Sequence, residues 1–388
     1  MKTEAILLHE TLRGKIEVTP KLKDVDKHDL SLLYSPGVAE PCLEIVENPE
    51  RVYDTTWKGN VVAVVSDGTA VLGLGDIGPL AALPVMEGKA MLFHAFAGVN
   101  AVPIVLNTKN PDEIISICRA LEPSFGGINL EDIKAPECVY IENELRKHLN
   151  IPVFHDDQHG TAIVVMAGLI NACEITGRDL KDCKVVVSGT GAAGSSIIKM
   201  LHNHGVTSVY GSNVDGIVSK SKQDNYDFVV KELSEFLCDD ASNLEEAMVN
   251  ADVFIGVSAP NIVSQEMVRS MNIDPIIFAL ANPNPEITYH DAKAAGAKVV
   301  GTGRGDYPNQ VNNVLAFPGI FKGVLEARAP QITEEMKWVA AEAIAKLVQD
   351  DLSEDNILPD AMHPHLAQSV SEAIIREYQR EAENNENN

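Results

Sequence analysis

The sequence predicts an α/β chain of two domains, the second built on a parallel sheet buried on both faces. Three observations carry this expectation. The chain has 388 residues, more than one hydrophobic core usually serves. From residue 184 onward, short β-branched runs alternate with helix-length segments: KVVVS at 184–188, SVYGS at 208–212, DVFIGVS at 252–258, IIFALA at 276–281 and KVVGTG at 298–303. Nearly continuous apolar strands joined by long crossovers are the pattern of parallel pairing. Residues before about 165 show a different mixture, with one apolar strand, GNVVAVVSDG at 59–68, and a helical pattern, ECVYIENELRKHL at 137–149. The expected organisation is therefore an N-terminal α/β domain over 1–165, a Rossmann-type domain over 166–325, and C-terminal helices over 326–388.

Each further element has its own signal. In 137–149, Cys138, Ile141, Leu145 and Leu149 recur at helical spacing, and Pro136 suits a first helical turn. ITEEMKWVAAEAIAKLV and HPHLAQSVSEAIIREY carry the same period, with Met336, Val339, Ala340, Ala343 and Leu347 on one face. These helices are expected to cap one of the domains. The end, EAENNENN, reads as a solvated tail.

Composition narrows the function classes. Hydrophobic residues are 45% and charged residues 22%, an ordinary globular balance. A formal net charge of −25 argues against nucleic acid, whose binding needs clustered Lys and Arg. Six cysteines (Cys42, Cys118, Cys138, Cys173, Cys183, Cys238) are scattered without a C-x-x-C pair, which fits a reducing cytoplasm. The N-terminal residues lack an apolar leader, and no stretch reads as the roughly 20 apolar residues of a membrane span. A small-molecule partner is expected, with neither export nor membrane.

Two stretches match G-x-G-x-x-G, and context separates them. Gly73, Gly75 and Gly78 are followed by Pro79 and Pro84 where a phosphate-capping helix should run, so this copy is read as a glycine-rich turn. Gly189, Gly191 and Gly194 follow KVVVS directly and open SSIIKMLHNHG, a helical pattern closed by Gly205. Here a helix N-terminus would offer free N–H groups to a pyrophosphate. The carboxylate expected for the ribose near the end of the second strand is replaced by Asn213, and Lys220 and Lys222 follow. These residues are compatible with both NAD and NADP.

Glu131 and Asp132 in GGINLEDIKAPE, and Asp156 and Asp157 in PVFHDDQHGTA, put two acidic pairs after apolar runs. Carboxylates gathered in one pocket repel each other without a cation, and a hard Mg²⁺ or Mn²⁺ prefers oxygen ligands. Neighbours on an extended strand point to opposite faces, so Glu131 and Asp132 can share a metal only if the chain turns between them. A turn is predicted there. His155 and His159 flank the second pair and are assigned supporting roles.

Together with these pairs, the blocks YSPGVAEPC (34–42), GLGDIG (73–78), PVMEGKAMLF (84–93), GGINLEDIKAPEC (126–138), FHDDQHGTA (154–162), ANPNPE (281–286) and DYPNQVNNVLAFPG (306–319) resemble those of short bacterial-type malic enzymes, in order along nearly the whole chain. The resemblance implies oxidative decarboxylation of malate to pyruvate and carbon dioxide, with NAD or NADP and with Mg²⁺ or Mn²⁺. It places the general acid on Tyr34 and the general base on Lys89, whose pKa would have to be lowered for that task. It places the metal ligands on Glu131, Asp132 and Asp157, with Asp156 as partner of the lysine. Substrate contacts fall on Asn282 and Asn313, beside Asn312. Cofactor contacts fall on Gly189, Gly191, Ala192, Ala193, Gly194, Asn213, Ser258 and Asn282. Longer family members carry an arginine just before the GLGD block, where this chain has Thr69 and Ala70. The resemblance also implies a homodimer. The competing readings are a metal-dependent oxaloacetate decarboxylase of the same family and, in another class, a non-catalytic nucleotide-binding regulatory protein.

Overall fold

A computed structural model describes residues 2–71 and 73–386. It holds two sheets. The first contains β1 (Val61–Ser66), β2 (Asn100–Val105), β3 (Gly127–Leu130) and β4 (Val153–His155), in the order β2-β1-β3-β4, all parallel. The second contains β5 (Val185–Ser188), β6 (Val209–Asn213), β7 (Gly216–Ile217), β8 (Val253–Gly256), β9 (Ile276–Ala279) and β10 (Val299–Thr302), in the order β10-β9-β8-β5-β6-β7. Every pair in it is parallel except β6 with β7. The five β-branched runs are all strands. The two-residue β7 is too short to leave an alternating pattern. Burial on both faces explains the unbroken apolar runs: every residue of β1, β3, β5, β8, β9 and β10 is buried.

Helix Asp156–Thr176 joins the sheets and runs across the expected boundary at residue 165. Its length and composition would suffice to cross a membrane, contrary to the sequence reading, but 67% of its most apolar window is buried inside the protein. Ile163, Val164, Val165, Met166, Ala167 and Leu169 lie in the largest apolar cluster, so this is a core helix. It stops at Gly177, whose φ of 66° gives the left-handed cap that glycine adopts without strain.

The C-terminal helices serve both domains. Phe317 and Phe321 of helix Phe317–Ala327 meet Phe93 of the first domain edge-on at 4.7 and 5.3 Å. Gly319 and Gly323, one turn apart, face helix Leu366–Glu386; a Cβ on them would lie 2.6 Å from Val370 Cβ and 2.7 Å from Ile374 Cβ. Alanine at either position would push the two helices apart. Helix Glu334–Lys346 buries Met336, Ala340 and Ala343 of the expected face.

Two expectations need correction. A long helix, Pro79–Ala97, does follow Gly78: Pro79 occupies its first turn, and Pro84 lies inside it. The N–H that Pro84 lacks would have bonded the carbonyl of Leu80, a residue 86% exposed, so the loss falls on the solvent side. What separates the two glycine motifs is distance from the strand, because Gly189 follows β5 at once whereas Gly73 lies seven residues beyond Ser66. The tail expected to be solvated is exposed at residues 382–384 but is ordered as helix, since helix Leu366–Glu386 continues through residues 381–386. The last two residues lie outside the described ones.

Candidate active site

The acidic pairs sit at the carboxyl ends of the first sheet's strands, where ligands bind in open α/β sheets. Glu131 extends the ladder through its N–H to the Val65 carbonyl at 2.9 Å. Asp132 then turns into the left-handed region at φ 54°. That turn defeats strand alternation and puts both side chains on one site. Asp157 lies in the first turn of helix Asp156–Thr176, and its Oδ2 accepts the Asp132 N–H at 2.8 Å. One carboxylate oxygen from each of Glu131, Asp132 and Asp157 lies within 4.8 Å of the others.

Lys89 enters from helix Pro79–Ala97, with Nζ 2.9 Å from Glu131 Oε1 and 2.5 Å from Asp156 Oδ2. The Phe317 ring lies 4.0 Å from the same nitrogen. Gly160, one turn after Asp156, leaves the space that carboxylate needs, because a Cβ there would lie 2.0 Å from Asp156 Oδ1 and 3.0 Å from Asn313 Cβ. The same contact places Asn313 beside Asp156.

Electrostatics show what this cluster lacks. Burial pushes Asp132 up to about 7, with the nearby Asp157 charge adding to it. Burial likewise raises Glu131 well above the carboxylate range, against the attraction of Lys89, and raises Asp156. With no cation beside it, Lys89 is not in the lowered state its role requires. Burial favours its neutral form, but Asp156 and Glu131 outweigh that and hold it as an ammonium above the usual lysine value. Asp132 Oδ2 and Asp156 Oδ1 are buried without a hydrogen-bond donor among the described residues. Buried acceptors of this kind are costly unless paired. An oxygen-only donor set with unpaired lone pairs fits a hard divalent cation and offers no soft ligand for zinc.

Supporting contacts fix the cluster. Asn129 Nδ2 donates to Glu131 Oε2 at 2.8 Å. Glu142 accepts from the His155 N–H at 3.3 Å and from Gln158 Nε2 at 3.2 Å, and lies 2.8 Å from His159 Nε2. His159 in turn touches Ser196 and Lys337, so it braces helices from both domains. Burial works against the Glu142 anion, but His159 and Lys337 draw it down to about 2. Thr69 is buried and turned inward: its Oγ1 donates to Asp67 and accepts the Lys134 N–H. It is therefore not a free grip for a carboxylate.

The second glycine motif forms the cofactor half. Gly189, Gly191, Asn213 and Ser258 line a cavity of about 720 Å³ together with Ser188, Tyr226 and Asp227. The cavity lies where β5 has β6 on one side and β8 on the other, the switch point of the sheet. Gly191 caps helix Ala192–Asn203, which begins with Ala192 and Ala193. Gly194 faces the Gly189 carbonyl, where a Cβ would lie at 1.8 Å. Asn282 is not on this wall; it sits on the next loop, its Nδ2 against Gly303. Ala135 and Pro136 of the first domain also line the cavity, and no sequence signal marked them.

Tyr34 is not part of the cluster. It follows helix Lys27–Leu33, is 72% exposed, and has no hydrogen bond to another side chain among the described residues.

A parallel sheet with a dinucleotide-type crevice, beside a carboxylate cluster built round a lysine, defines a nicotinamide-dependent oxidoreductase as its class. Known proteins give the family. The malic enzyme N-terminal domain profile matches residues 13–146 and the malic enzyme NAD-binding domain profile matches residues 158–381. The chain is 55% identical to the bifunctional malic/malolactic enzyme of Bacillus subtilis, over 97% of this chain and 92% of that one. It is 51% identical to the NAD-dependent malic enzyme of Geobacillus stearothermophilus, over 95% and 77%. The crystal structure of the NAD-dependent malic enzyme of Thermotoga maritima superposes with a TM-score of 0.93 at 47% identity, covering 96% of this chain and 99% of that one. This chain belongs to the malic enzyme family.

Proposed function

We propose that the chain catalyses the oxidative decarboxylation of malate to pyruvate and carbon dioxide, with a nicotinamide dinucleotide as hydride acceptor and Mg²⁺ or Mn²⁺ in the carboxylate cluster. The observation that carries this reading is the meeting of Lys89 with Glu131, Asp132, Asp156 and Asp157 within one buried site. A divalent cation on Glu131, Asp132 and Asp157 would polarise the hydroxyl and carboxylate of malate and draw Lys89 toward its neutral form. Lys89 Nζ then takes the substrate hydroxyl proton, and Asp156, 2.5 Å away, is placed to receive it. Asn313 beside Asp156, together with Asn282 of the loop after β9, would orient the substrate's carboxylates.

Of the two dinucleotides, NAD fits the crevice better. Asp215 and Asp227 line it, and no lysine or arginine does among the described residues. Lys220 is committed to Glu235 at 2.5 Å. A 2′-phosphate would meet negative charge without a counter-charge.

The N-terminal segment supports a homodimer. None of its helices up to residue 55 buries a residue, while Leu8, Leu12, Leu33 and Val46 are 55, 56, 61 and 78% exposed. An apolar surface of this extent is that of an interface. A second copy covering it would carry Tyr34 out of solvent into a site shared by two copies, where its hydroxyl can protonate the decarboxylated carbon.

The test is absorbance at the reduced-nicotinamide band with malate and Mn²⁺, run with NAD and NADP, with and without a chelator. Metal-dependent reduction with pyruvate formed is expected. Silence with both cofactors overturns the reading.

A further inference from the structure

Glu286 is wholly buried, carries an ionisable group, and takes no part in the chemistry above. Its two oxygens serve two different loops. Oε1 accepts the backbone N–H of Ser258 at 2.8 Å and lies 3.4 Å from the Ser258 hydroxyl. Oε2 accepts the backbone N–H of Ala281 at 3.1 Å. Ser258 belongs to the loop after β8 and lines the cofactor cavity; Ala281 precedes Asn282 on the loop after β9. The Ser258 hydroxyl also lies 2.9 Å from Ser188 Oγ at the end of β5. One carboxylate therefore ties the carboxyl ends of three adjacent strands, along the crevice where a dinucleotide lies. Backbone bonds repeat the tie, from the Val263 N–H to the Glu286 carbonyl at 3.1 Å and from the Asn261 N–H to the Pro285 carbonyl at 3.0 Å. Gly256 accommodates it: a Cβ there would lie 2.3 Å from the Glu286 carboxyl carbon.

We propose that Glu286 is a positioning residue, which fixes the Ser258 loop on the wall of the cofactor crevice and sets its distance from the neighbouring loop of Ala281 and Asn282. The proposal rests on the reading of this crevice as the dinucleotide site. A carboxylate is required because both oxygens must accept. A carboxamide has the same shape but one acceptor, so its NH₂ would face one of the two N–H donors and push that loop away.

The test compares wild type with Glu286→Gln and Gly256→Ala, the second of which displaces the carboxylate without removing it. NADH affinity is read by fluorescence titration, Mn²⁺ binding by thermal shift, and turnover at saturating cofactor. Both variants are expected to bind NADH about tenfold more weakly, equivalent to about 1.4 kcal/mol, and to turn over more slowly, while the Mn²⁺-induced shift stays at its wild-type size. NADH affinity within twofold of wild type in Glu286→Gln overturns the proposal. So does an equal loss of NADH and Mn²⁺ binding, which marks a general scaffold role. If wild type itself binds no NADH, the reading of the crevice falls first and the proposal with it.

Discussion

Replacing Asp132 with Asn separates the cost of the carboxylate cluster from its use. Asn tolerates the φ of 54° at this position, so the backbone stays put. The Asp132 carboxyl is raised from 3.8 to about 7 by burial and Asp157. An acid raised in the folded state favours folding only while protonated. Its contribution is full below about pH 4 and is lost as pH rises through 7. Raising the carboxyl from 3.8 to about 7 costs the ionised folded state on the order of 4 kcal/mol. With about 2.1 cal/mol/K of unfolding entropy per residue, a chain of 388 residues changes Tm by about 1 °C for each 0.8 kcal/mol. Metal-free Asp132→Asn at pH 8 should therefore melt up to about 5 °C above wild type, and the difference should shrink as pH falls and vanish only below about pH 4, where Asp132 is protonated in the unfolded chain as well. Mn²⁺ at a hundredfold excess over Kd should raise wild-type Tm by about 3 °C, from about 2.7 kcal/mol of linkage, and leave the variant unmoved. Differential scanning fluorimetry at both pH values, with Mn²⁺ or chelator, measures all four quantities. A variant no more stable than wild type at pH 8, or one still stabilised by Mn²⁺, would refute the assignment of Asp132 as a buried metal ligand.

Other perturbations follow from the same geometry. Lys89→Met should lower kcat by about 10²–10⁴, the usual contribution of a positioned proton-transfer group, with Mn²⁺ binding intact; turnover within a few-fold of wild type would exclude Lys89 from proton transfer. Tyr34→Phe should lose pyruvate formation while retaining the oligomer, whereas Leu33→Asp should yield monomers by light scattering and lose activity through the unfilled site; an active monomer would sink the shared-site reading. NAD should exceed NADP in kcat/KM by at least about tenfold, equivalent to about 1.4 kcal/mol, and Asp215→Lys should narrow that ratio; equal use of both cofactors contradicts the charge argument.

Local signals made most of this legible. The five β-branched runs and the strand, glycine turn and helix at 184–203 were readable because parallel strands and phosphate loops impose composition on consecutive residues. The turn at Asp132 was inferable from geometry, since two adjacent acids cannot otherwise share a ligand. What stayed hidden depends on chain segments far apart in sequence. Ala135 and Pro136 reach the cofactor cavity only because the domains pack together. Glu286 gains its meaning from the Ser258 and Ala281 amides. The direction of the Lys89 shift depends on two carboxylates 42 and 67 positions away. Pro84 misled because proline was weighed against helix formation without knowing that its neighbour Leu80 faces solvent.

Helix Asp156–Thr176 also constrains how the two halves can move. Its first turn supplies Asp156 and Asp157, and its body is packed against helices Ala192–Asn203 and Glu334–Lys346. It is the axle that joins the carboxylates of its first turn to the packing of the nucleotide half. A rotation that widened the nucleotide crevice would shift the carboxylates at the axle's tip by the same angle.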